Sequence, residues 1–129
     1  MRLIQLNDNM KTFFIACLLI CTCTATLAQK PRDGTYTYSI AFAEWNSKSL
    51  GATCTVIIKG DSIKVVHNGK GNLTGKKGDI LDQGIIMKHT KSGKWIIGHS
   101  NKDKDAKEIG GCSDGPSIID FKRKKFWGC

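Results

Sequence analysis

Three groups of side chains in this chain could do chemistry. They are the histidines His67, His89 and His99, the cysteines Cys54, Cys112 and Cys129, and the basic-aromatic run Phe121-Lys122-Arg123-Lys124-Lys125-Phe126-Trp127. Histidines can hold a metal or move a proton. His89 and His99, however, fall at opposite ends of one hairpin. A four-residue offset at about 3.3 Å per residue puts them roughly 13 Å apart, too far for one ion. Each is expected to be partly buried and hydrogen-bonded. His67 ends a strand beside Asn68-Gly69, where exposure is expected. The cysteines lack the short paired spacing of a zinc site.

Nucleophilic catalysis needs Ser or Cys held by a base, which an acid orients in turn. There is no Gly-x-Ser-x-Gly elbow, and only folding could bring a pair such as Cys112 and His99 together. Asp79 and Asp82 flank a strand start, where turn chemistry accounts for them. Gly69-Lys70-Gly71 lacks the strand-to-helix setting and the Lys-Ser/Thr ending of a phosphate loop. The sequence therefore predicts no catalytic residues, no metal and no cofactor. An enzyme would need a site assembled from distant residues.

The basic-aromatic run is the sharpest charged feature. On an extended strand Phe121, Arg123, Lys125 and Trp127 share one face, and Lys122, Lys124 and Phe126 the other. Cations interleaved with aromatics suit phosphates, anionic glycans, lipid headgroups or acidic proteins. The competing reading is an edge strand that lysines guard against aggregation. The candidate binding residues are Lys122, Arg123, Lys124, Lys125 and Trp127, with no specific nucleic-acid role expected.

The elements that must position these residues begin after a leader. Lys11, the apolar run Phe13 to Cys21 and the small residues ending at Ala28 follow the plan of a secretory signal peptide over 1–28, with Met10 a natural start. The run is short for a membrane span. Cys17, Cys21 and Cys23 are poorly placed for lipidation, so anchoring as a lipoprotein is the lesser expectation. A secreted or periplasmic domain over 29–129 would carry 18 basic and 10 acidic residues, a net charge of +8 that favours anionic partners.

Within that domain, Gly34 to Trp45 alternates large and small residues, a strand signal. Strands follow at Ala52 to Lys59 and Ser62 to His67, then a glycine- and lysine-rich loop over 68–78 around a weak strand at Leu73. That loop carries the glycosylation sequon Asn72-Leu73-Thr74. The central hairpin is Gly84 to His99. A type I turn at Lys91-Ser92, followed by left-handed Gly93, predicts a three-residue loop. His89 then opposes Trp95, Met87 opposes Ile97 and Ile85 opposes His99. The inward face would hold Ile85, Met87, His89, Trp95, Ile97 and His99, with Trp95 largely buried. Residues 103–109 suggest one short helical turn stopped by Gly110-Gly111, and Ser117 to Trp127 the last strand.

These elements predict an all-β fold, a small antiparallel β-barrel or sandwich of about seven strands. The pattern resembles small lipocalin-type or inhibitor barrels at the level of fold alone. If the first strand pairs antiparallel with both the second and the last, Cys54 and Cys112 meet at one rim. Cys129 would then lie a strand of roughly 35 Å away, and the expected disulfide is Cys54–Cys112. The expected function is binding of a small ligand or protein, for instance as an extracytoplasmic inhibitor. Docking on an anionic envelope polymer is the alternative.

Overall fold

A computed structural model describes residues 29–46, 48–49 and 51–129. The leader, with Met10, Cys17, Cys21 and Cys23, lies outside the described residues. Seven strands run β1 (Gly34–Phe42), β2 (Thr53–Lys59), β3 (Ser62–His67), β4 (Ile80–Lys88), β5 (Trp95–Gly98), β6 (Ser117–Asp120) and β7 (Lys125–Gly128). They close into a barrel in chain order. The barrel, not the sandwich, is the architecture. Leu73 lies in a loop rather than a strand and packs against the core. The helical turn is a short 3-10 turn at Asn101–Asp105, earlier than expected. The Asp103 carboxylate sets its start by accepting the backbone N–H groups of His99 at 2.7 Å and Ser100 at 3.2 Å.

An odd number of strands that alternate in direction leaves the first and last pointing the same way. Closure must therefore be parallel, and β1 pairs β7 through Ser39↔Lys125, Ile40↔Phe126, Ala41↔Trp127 and Phe42↔Gly128. This corrects the expectation of a single final strand antiparallel to β1. The stretch 117–127 is a hairpin, β6 and β7 joined by a turn at Phe121–Lys124. Because the chain doubles back, Cys112 before β6 and Cys129 after β7 reach the same rim. They form the disulfide, with Cα atoms 4.8 Å apart. The expected Cys54–Cys112 bond does not form: Cys54 is a free thiol pointing into the core from β2.

Inward residues alternate along each strand, such as Cys54, Val56 and Ile58 on β2 or Ile63 and Val65 on β3, and pack as one cluster with Ile86, Ile97, Ile119 and Phe126. The barrel is filled by side chains, unlike the hollow interior of a lipocalin-type barrel. His67 keeps the phase of Ile63 and Val65 and is buried, not exposed at the strand end.

The central hairpin departs from its expected register by one residue. The pairs are Ile85↔Gly98, Ile86↔Ile97, Met87↔Ile96 and Lys88↔Trp95. The loop has four residues: the N–H of His89 donates to Lys94 O at 2.9 Å, and that of Gly93 to His89 O at 2.8 Å. Gly93 is left-handed as expected, with φ 69°. The one-residue shift exchanges the faces of β4 and leaves those of β5 in phase. Ile97 points inward as expected, and Ile86 joins it in place of Ile85, which is 47% exposed.

Segregating apolar from polar faces misjudged the register because β5 is buried on both sides. Ile96 and Ile97 are each 0% exposed. The excursion 99–116 covers the outer face. The Thr90 N–H donates to Lys104 O at 2.8 Å. Gly110 presses on Ile118, where an added Cβ would meet Ile118 Cδ1 at 2.5 Å.

Candidate basic-aromatic groove

The ladder between β5 and β6 holds two pairs, Ile96↔Ile118 and Ile97↔Ser117, and stops. Past that point Lys94-Trp95 and Ile119-Asp120-Phe121 line a groove of about 420 Å³. Its apolar surface comes from Ile118, Trp95, Phe121 and Trp127, and its rim from Lys88, Lys94, Lys122 and Arg123. Trp95 is partly buried and packs against the core cluster, at the mouth of the barrel where β5 begins. Its ring meets Phe121 nearly edge-on, centroids 5.7 Å apart at 62°. Lys88 Nζ lies 4.9 Å from the centre of the same ring. An ammonium over an indole is a cation–π contact, which keeps a positive charge at the aromatic surface.

The turn at Phe121–Lys124 presents the rest of the rim. The Arg123 N–H donates to Asp120 Oδ1 at 2.9 Å, and the Arg123 guanidinium lies 4.0 Å from Asp120 Oδ2. Arg123 is otherwise exposed. Asp120, partly exposed, sets a single carboxylate among the cations.

Of the five residues expected to bind, the structure brings Lys122, Arg123 and Trp127 to this groove and leaves two outside. Lys124 takes a left-handed conformation, φ 53°, and its carbonyl accepts the Ser39 N–H at 3.0 Å, so it serves the turn and the closure of the barrel. Lys125 pairs with Ser39 and Asp120 on the outer face. Closure also removes the competing reading of the lysines, since a closed barrel has no free edge for them to guard. Lys88, Lys94 and Trp95 were not expected at the site. Lys94-Trp95 sets a cation beside a tryptophan, as the final run sets Lys125 two residues before Trp127, and that mixture was the available signal.

The remaining chemical groups are engaged elsewhere. His67 Nδ1 accepts the Gly69 N–H at 2.8 Å, so its Nε2–H faces the Leu73 carbonyl at 3.2 Å. His89 Nδ1 faces the Ser92 hydroxyl at 2.8 Å and its Nε2–H the Ala106 carbonyl at 2.7 Å. Both rings hold loops in place. His99 is exposed and pairs with Asp82 Oδ1 at 2.8 Å. Cys112 cannot serve as the nucleophile of a dyad with His99, because its sulfur is bonded to Cys129. Glu44 lies near that disulfide, whose oxidised sulfurs offer no thiolates to a metal. Burial pushes the Cys54 thiol up to about 12, away from reactivity at neutral pH.

Among the described residues, no helix is long and apolar enough to cross a membrane. In comparisons with protein-family models, curated proteins and solved structures, the chain matches none.

Proposed function

We propose that this is an exported binding domain, not an enzyme, whose contact surface is the groove between Trp95 and Trp127 and whose ligand is anionic. The observation that carries the reading is the convergence of three aromatic rings and four cations from separate segments on one groove, around a barrel whose interior is filled. A disulfide is compatible with the oxidising compartments that export reaches. Two of the three histidines engage both ring nitrogens in hydrogen bonds to loop residues, and the free thiol is buried, which favours binding over catalysis.

Backbone and indole N–H shift mapping tests it, with an aromatic sulfonate and a uronate oligomer as probes. Shifts centred on the Trp95 and Trp127 indoles and the 120–123 amides are expected. Shifts scattered over lysines around the whole barrel would overturn the groove and favour a second reading, docking by overall charge on an anionic polymer. That reading has its own support in lysines far from the groove, such as Lys59, Lys64 and Lys77.

A further inference from the structure

We infer that the groove takes an acidic oligosaccharide, a chain of pyranose units bearing carboxylate or sulfate groups; this rests on the binding reading above. Three features select that chemistry. The first is the mixture of aromatic and basic surface. The C–H faces of a pyranose are apolar and slightly positive, and lie well against the negative face of an aromatic ring. Trp95 and Trp127 are both partly buried and both line the groove.

The second is how the charge is spread. Lys88 stands at the end of β4, Lys94 just before β5, and Lys122 and Arg123 in the β6–β7 turn. One phosphate or one carboxylate would be met by a tight cluster of cations. Cations distributed along a groove match a ligand with a charge on each of several units. The barrel beside the groove is filled by side chains, so its interior offers no slot for an acyl chain.

The third is Asp120. A carboxylate in a groove built only for anions would weaken binding by like-charge repulsion. Here it is held at the turn by Arg123, partly exposed, with acceptor capacity left over. A ligand that carries hydroxyls as well as anions can donate to it. A polyglutamate chain has no side-chain donor to offer, and a sugar acid does.

The test compares three six-unit probes at matched salt by tryptophan fluorescence: hexagalacturonate, maltohexaose and hexaglutamate. Hexagalacturonate should bind at least about tenfold tighter than either other probe. Trp127→Ala should weaken it by about tenfold or more, the scale of one lost stacking contact. Lys122→Gln and Arg123→Gln change exposed side chains and leave the fold intact. Each should lower the slope of log affinity against log salt by about one. Hexaglutamate or maltohexaose binding as tightly as hexagalacturonate would overturn the inference, as would full affinity in the Lys122→Gln/Arg123→Gln pair. If hexaglutamate binds the groove and the uronate does not, the ligand class falls and the binding groove stands. If no anionic probe reaches the groove indoles, both fall.

Discussion

Replacing Cys112 and Cys129 by serine should destabilise the fold by about 3 kcal/mol. The bond spans a sequence separation of 17. In the chain-entropy account a loop of that size removes about 10 cal/mol/K from the unfolded chain, which gives about 3 kcal/mol at 25 °C. For a domain of about 100 residues each kcal/mol moves the melting temperature by about 4–8 °C, so a fall of about 12–24 °C is expected. The position of the bond adds a local effect. It joins the end of β7 to the segment before β6, and β7 is the strand that closes the barrel on β1. The Ser39 amide, which donates to Lys124 O across the seam between β1 and the β6–β7 hairpin, should therefore lose more hydrogen-exchange protection than those of β2 and β3. Thermal melts of the serine pair, set beside the reduced wild type, provide the assay. Cys54 is the internal control, since its buried thiol should resist alkylation until the chain unfolds. A melting temperature within about 4 °C of the oxidised protein would refute the reasoning. So would a non-reducing peptide map linking Cys54.

Ile96→Ala should cost about 2–5 kcal/mol and Ile85→Ala about 0.5 kcal/mol or less in urea unfolding, because Ile96 is 0% exposed and Ile85 47%; the reverse order would restore the three-residue loop. Burial raises Cys54 from 9.0 to about 12, and burial, with smaller contributions from Tyr36, Asp120 and Cys54, raises Tyr38 from 10.0 to about 12. The folded state thus favours both neutral forms. Stability is full below about pH 9 and falls as pH rises towards about 12, by at most about 1.4 kcal/mol per pH unit per group. Cys54→Ala should remove the fall between about pH 9 and 10 in denaturant titrations, and an unchanged profile would contradict this. Gly84→Ala should cost about 1–3 kcal/mol, since its Cβ would run into the Gly98 carbonyl, which as backbone cannot step aside. An unchanged urea midpoint would show that the neighbouring strands can separate there.

Local pattern was enough for what depends on neighbours in the chain. Period two in Tyr36 to Ile40 and in Ile63 to His67, glycines at turns and β-branched runs marked out an all-β barrel or sandwich and the rough place of most strands. The same periodicity placed His67 inside, had it been followed one residue further. The basic-aromatic run marked four residues of the candidate groove, Phe121, Lys122, Arg123 and Trp127. What depends on distant partners was not legible. The register of the central hairpin was lost because the excursion 99–116 buries the second face of β5, and a strand buried on both faces has no polar side to mark its phase. The turn inside Phe121–Lys124 carries no glycine or proline, and Lys124 takes the left-handed position that glycine would have announced. That hidden turn makes the strand count odd, the closure parallel and Cys112–Cys129 the bond. It also brings Lys122 and Arg123 to the groove beside Trp95, a neighbour supplied by the pairing of β5 with β6 across the excursion 99–116.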